Sequence, residues 1–159
     1  NKMKRRLLII TLMLILIVVI YVITSYSSSK TEKRACENKE NAIEKESCLS
    51  QLALREKNVE LCSKVETPTT KDGCIFAVAV SKKDETLCDQ VGDYSRDTCI
   101  TGVAAVKQDL ELCNQLSSAG SIDTCIEQVA YQLKDISLCE NIKSAPIKDR
   151  CTLVIKRLQ

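Results

Sequence analysis

The 159 residues include no histidine and no tryptophan, one phenylalanine, four glycines and two prolines. Without histidine, no Ser-His-Asp or Cys-His arrangement can be assembled, and the commonest nitrogen ligand of zinc and haem iron is missing. The few glycines form neither G-x-x-x-x-G-K-[ST] nor G-x-G-x-x-G, so phosphate-cradling loops are not expected. No C-x-x-C pair occurs, which removes the zinc-knuckle, thioredoxin-like and haem-attachment patterns. With so few aromatics the core must be aliphatic, and the basic stripe with interleaved aromatics that marks a nucleic-acid binder is absent too. No catalytic, cofactor-binding or metal-binding residues are assigned, no cofactor is expected, and the chain is not read as an enzyme. N-x-[ST] is also missing, so N-linked glycan is not expected.

Charge is missing from one long stretch. Residues 7–23 run apolar, interrupted only by Thr11 and Tyr21. At 1.5 Å rise per residue such a helix covers about 25 Å, and snorkelling of Lys4, Arg5 and Arg6 supplies the rest of a hydrocarbon core. The expectation is a transmembrane helix over residues 7–24 that engages the lipid bilayer. A cleaved secretory signal has a similar basic start and apolar run, but this run is longer than a usual signal core and no Ala-x-Ala-like site follows it. Lys2, Lys4, Arg5 and Arg6 precede the span without an acid, so residues 1–6 are placed in the cytoplasm and everything after Thr24 outside it. Residues 25–34 read as a polar linker, with the Ser-Tyr-Ser-Ser-Ser of residues 25–29 as a break. Setting the four leading cations aside leaves 19 basic against 21 acidic residues, an almost neutral outer part with both signs interspersed.

What is abundant is cysteine. Cys36, Cys48, Cys62, Cys74, Cys88, Cys99, Cys113, Cys125, Cys139 and Cys151 are separated by alternating short and long gaps, a two-cysteine unit of about 26 residues repeated five times over residues 35–159. Ala35, Leu61, Leu87, Leu112 and Leu138 stand one before the first cysteine of each unit, and Lys39, Val65, Val91, Leu116 and Ile142 three after it. Four after the second cysteine stand Leu52, Val78, Val103, Val129 and Ile155, followed by Ala53, Ala79, Ala104, Ala130 and then Lys156. Apolar residues at i, i+1, i+4 and i+5 make one helical face, where a strand would need alternation.

Each unit thus reads as a short helix of about eight residues and a longer one of about thirteen. Asn58, Asp84, Asp109 and Asp135 are placed to N-cap the short helices, and Thr70, Ser95 and Ser121 the long ones. Asp72, Asp97 and Asp123 suit the positive end of the long helices. Residues 66–69, 92–94, 117–120 and 143–146 read as turns. Helices this small cannot bury a core alone, so the hairpins must stack. The expected fold is all-α, an N-terminal transmembrane helix followed by a small α-solenoid of five disulfide-stapled hairpins. Lys39 and Lys156, polar where other units are apolar, suit its two ends.

Regular cysteines outside the cytoplasm point to five disulfides. In an antiparallel hairpin the two cysteines of one unit stand at the same height, about one turn from the connecting turn. Pairing across units sets one about 10 Å from its helix end against one about 6 Å from its own, a mismatch a short bridge tolerates poorly. The expected pairs are Cys36 with Cys48, Cys62 with Cys74, Cys88 with Cys99, Cys113 with Cys125, and Cys139 with Cys151.

Laid out as L-C-x-x-V followed by D-x-C-x-x-x-V-A, residues 35–159 resemble uncharacterised archaeal membrane-anchored surface proteins built from two-cysteine helical-hairpin repeats. Their architecture is similar to tetratricopeptide and Sel1-type repeats, although the tetratricopeptide pattern of aromatic and glycine positions is absent here. The resemblance implies a single-pass protein of the cell membrane with its repeats outside. Three roles follow from architecture: an interaction or scaffold module for a protein partner, a filament or pilus-like appendage built from copies of this chain, and an accessory subunit of a membrane complex. The break at residues 25–29 speaks against a pilin-like helix continuous with its head. The anchor's uniform Leu/Ile/Val content, without small-x-x-x-small, speaks against tight helix pairing.

Overall fold

The computed structural model describes residues 2–158, with the side chains of Lys2, Met3, Arg5, Leu7, Leu8, Thr24, Ser25 and residues 27–29 outside the description. All described elements are helical, and no strand occurs among the described residues. The chain divides into two compact units, residues 1–45 and 46–159.

The first unit is dominated by α1 (Lys2–Glu37), a single helix of 36 residues. It runs through residues 25–29, where the sequence suggests a break, and through the whole expected linker 25–34. The reason is composition: no glycine or proline stands before Pro68, and serine costs only about 0.5 kcal/mol per residue in a helix, too little to stop one. Cys36 therefore lies in the last turn of α1, and the first unit of the repeat has no separate short helix. Residues 9–23 are exposed on every side of α1 within this chain. Among the described residues no helix is long and apolar enough to cross a membrane. The apolar side chains described without a gap are those of residues 9–23, about 22 Å of rise. The side chains of Leu7, Leu8 and Thr24, which complete the expected span, lie outside the description.

The second helix, α2 (Ala42–Glu56), opens on Asn41, whose side chain accepts the amides of Ile43 and Glu44. After it, a 3-10 helix and an α-helix alternate: η1 (Val59–Lys64), α3 (Pro68–Lys82), η2 (Glu85–Gln90), α4 (Asp93–Lys107), η3 (Leu110–Gln115), α5 (Ala119–Leu133), η4 (Ile136–Asn141) and α6 (Ala145–Leu158). From α3 on, the long helices stack in sequence, and η2, η3 and η4 each lie against the long helix before and the one after. The repeated apolar positions form the shared core. Leu61, Val65, Ile75, Val78, Ala79, Ile100, Val103, Ala104, Leu112, Val129, Ala130 and Ile155 are all buried.

Two boundaries differ from the expectation. The short helices have six residues and are 3-10 rather than two-turn α-helices. A segment fixed at one end by an Asx cap and at the other by an inward apolar residue (Val65, Val91, Leu116, Ile142) has too few residues for i to i−4 bonding to gain much. Asn58, Asp84, Asp109 and Asp135 do cap them, each accepting the amide two residues on at 2.9–3.1 Å. The long helices start three residues earlier than expected, so Thr67, Gly92 and Ser118 hold the cap positions in place of Thr70, Ser95 and Ser121, and the expected turns contain the helix starts. Pro68 is compatible with this because a first-turn residue needs no amide donor.

Consecutive units are joined by one residue in the left-handed region. Lys57, Lys83, Gln108 and Lys134 have φ between 52° and 57°. Each sits just past a long helix, with its amide bonded to the carbonyl three residues back. The following Asx amide bonds the repeated alanine: Asn58 to Ala53, Asp84 to Ala79, Asp109 to Ala104 and Asp135 to Ala130. This is a Schellman closure with lysine or glutamine where glycine is usual. Its tight bend lets the Asx residue end one helix and cap the next.

Candidate functional site

The cysteines occupy the middle of the repeats. Cys62 is bonded to Cys74, Cys88 to Cys99, Cys113 to Cys125 and Cys139 to Cys151, with Cα–Cα separations of 5.6–5.9 Å. Cys36 and Cys48 are disulfide-bonded as well, and no cysteine is free. The bridged sulfurs tie each 3-10 helix to the long helix that follows it and are buried. No group of three or more metal-ligating side chains comes together among the described residues.

The acids two residues before the second cysteine have a role that their position alone does not reveal. Each reaches the start of the next long helix, about twenty residues on. Glu46 accepts the amides of Glu66 and Thr67 at 3.1 and 2.9 Å. Asp72 accepts the Gly92 amide and the Ser95 hydroxyl. Asp97 accepts the amide and hydroxyl of Ser117 at 3.2 and 2.7 Å. Asp123 takes one amide on each oxygen, from Lys143 at 3.0 Å and Ser144 at 2.8 Å. Thr67 and Gly92 make no side-chain cap of their own, and the amides the upstream carboxylates take belong to the cap residue and the one before it, so they fix the backbone entering the helix rather than its first turn. The Thr67 amide foremost holds the Glu46 carboxyl below its usual range, and the Ser117 hydroxyl does the same for Asp97. In the last unit Asp149 occupies the same position and is exposed.

One junction carries a charge cluster that the sequence analysis missed. Glu127 is buried between α5 and α6. It accepts two bonds from Arg150, at 2.7 and 2.6 Å, and one from the Tyr131 hydroxyl at 2.6 Å. Burial alone would raise the Glu127 carboxyl, but the bonds from Arg150 and Tyr131 outweigh it and hold the group below its usual range. Burial first, and then the bond to Glu127, push the Tyr131 phenol up to about 12. The sequence carried a signal for this pair, since Glu127 interrupts the uncharged residues at its repeat position and Arg150 stands at the facing position of the next unit.

The long helices α2–α5 also share a face, most exposed on α2 and least on α5. Its residues are Ser47, Ser50, Gln51 and Leu54 on α2, Gly73, Phe76, Ala77 and Val80 on α3, Thr98, Thr101, Gly102 and Ala105 on α4, and Thr124, Glu127, Gln128 and Tyr131 on α5. Each set follows i, i+3, i+4, i+7 spacing, one side of a helix. On α2–α5 the charge on this face is Glu127, buried and paired, with the Asp97 carboxylate at its edge, while the same positions of α6 bring Arg150 and Arg157. Phe76 lies across Gly102 of the next helix so closely that a Cβ there would stand 2.6 Å from the ring. Between α4 and α5 the face opens into a trough of about 350 Å³ lined by Asp97, Thr98, Thr101, Gly120, Ser121 and Thr124.

These features define a class, a helical-repeat protein whose units are stapled by disulfides and locked to each other by carboxylates. Comparison with known protein families, characterised proteins and solved structures finds no match to this chain.

Proposed function

We propose that the chain is a membrane-anchored, extracytoplasmic helical-repeat module that docks a protein partner on the long-helix face. The observation that carries this reading is the sparse charge on this face over α2–α4. In a stacked-helix protein most solvated surface is charged, and an area with little charge desolvates cheaply when another protein covers it. Oxidised cysteines fit a compartment outside the cytoplasm. The exposed apolar residues 9–23, which present no polar side to water, support an anchor in lipid. On this reading residues 1–6 are cytoplasmic and the repeats lie at the cell surface, as the resemblance to archaeal membrane-anchored proteins implies.

The uninterrupted α1 favours a second reading, because it removes the objection that a break at residues 25–29 separates an apolar helix from its head. In that reading copies of the chain bundle their apolar helices into a filament. Lys39 and Lys156 at the repeat ends disfavour end-to-end stacking of the repeats, so such a filament would be held by α1.

Purification of the native protein from membranes tests both. The docking reading expects a fixed-ratio complex that Ala77→Glu together with Thr98→Lys dissolves while the fold, followed by circular dichroism, is kept. Filaments that survive both substitutions support the second reading, and a monomer from intact membranes overturns both.

A further inference from the structure

We propose that the trough between α4 and α5 is a binding site for a neutral saccharide, held by Asp97, Thr98, Thr101, Ser121 and Thr124 with Tyr94 as a stacking platform beside it. The trough exists for a reason that can be read from the repeat. The residue two after the second cysteine faces the residue one before the second cysteine of the next unit. At one neighbouring junction that space is filled by the Phe76 ring lying across Gly102, and at the other by the Glu127–Arg150 pair. At the α4–α5 junction the facing pair is Thr101 and Thr124, and Gly120 adds no side chain, so the space stays open.

The lining mixes threonine methyls with hydroxyls. Thr98, Thr101 and Thr124 bring hydroxyls that both donate and accept; Ser121 shares its hydroxyl with Ser118, and the Asp97 carboxylate, already taking the Ser117 amide and hydroxyl, offers only its remaining lone pairs. No cation lines the space, so an anionic ligand has no counter-charge there, and no large apolar side chain is available to an apolar one. Thr124 already donates to the Gly120 carbonyl at 2.9 Å, which leaves its oxygen free to accept. Tyr94 is fully exposed and sits three, four and seven residues before Asp97, Thr98 and Thr101, on the same side of α4. An exposed aromatic ring beside a row of hydroxyls and a carboxylate matches the two faces of a pyranose, one apolar C–H face and a rim of hydroxyls. A second open space, about 440 Å³ beside η1, is lined by Glu60, Lys71, Ile75 and others of mixed sign and polarity.

Amide chemical-shift mapping on the full oxidised chain, titrated with neutral hexoses and their disaccharides, tests the site. Shifts should be confined to residues 94–101 and 120–124, with a dissociation constant of about 1 mM. Thr101→Leu, which fills the space as Phe76 does next door, and Tyr94→Ala, at a side chain that packs on nothing, should each weaken binding about tenfold while the rest of the spectrum is unchanged. Absence of shifts with every saccharide at about 50 mM overturns the proposal. So do shifts that neither substitution affects, or shifts produced only by an uncharged peptide.

Discussion

Gly102 and Phe76 show how one position sets the spacing of two helices. Glycine inside a helix costs about 1 kcal/mol relative to alanine, yet at Gly102 an added Cβ would meet the Phe76 ring at 2.6 and 3.0 Å and a Val80 methyl at 3.1 Å. Overpacking of that kind costs about 1–3 kcal/mol, more than the helix propensity gained. Gly102→Ala should therefore lower stability by about 1 kcal/mol. In a Phe76→Ala background the ring contacts are gone and only the Val80 methyl remains close, so there the same substitution should be neutral or stabilise by a few tenths of a kcal/mol. Urea denaturation of the four chains checks the difference between backgrounds. A loss of equal size in both backgrounds would mean that the ring is not what Gly102 accommodates.

The element that makes a series of hairpins into one body is the carboxylate reaching from one long helix to the start of the next. Losing a hydrogen bond to a charged acceptor costs about 1.5–3 kcal/mol, and Asp123 is the most buried of these acids with both oxygens engaged. Asp123→Ala should cost about 2 kcal/mol, within that range. Asp149→Ala removes the same residue from the same repeat position but breaks no bond, so its unfolding midpoint should match the parent chain. A loss at Asp149 comparable to that at Asp123 would show that these acids act through their own helix and not through the next one. The sequence analysis placed the acids correctly at helix starts but assigned them to the wrong helix. Spacing along the chain shows which residues lie near a helix end, whereas the partner twenty residues away is fixed only by how the hairpins stack.

For the whole molecule, stability rests on bridges more than on bulk. Each disulfide closes a loop of 11 or 12 residues, worth roughly 3 kcal/mol by loop-closure entropy, against the 5–15 kcal/mol typical of an entire domain. Reduction should therefore unfold the repeats. Because each unit touches only its neighbours, replacing Cys88 and Cys99 by alanine should lower the melting temperature more than replacing Cys139 and Cys151. Thermal melts with and without reductant measure this, and identical melts in the two conditions would mean that packing alone carries the fold.

The sequence by itself determined the period, the helical class, the Asx caps of the short helices and the apolar core positions, because those features are local and recur from unit to unit at nearly the same spacing. Lys39 and Lys156 stand out in the sequence against their apolar repeat equivalents, and both are exposed. It failed at residues 25–29, where a run of serines suggests a break but lacks the glycine or proline needed to make one. The tertiary structure decided what depends on two units meeting. Lysine or glutamine takes the left-handed φ at each joint because the Asx closure imposes the bend, the short helices tighten to 3-10 because their ends are pinned, and Glu127 is tolerated in the core only because Arg150 arrives from the next hairpin. The open trough between α4 and α5 belongs with these, since it exists where two threonines face each other across a junction that an aromatic ring or an ion pair fills elsewhere.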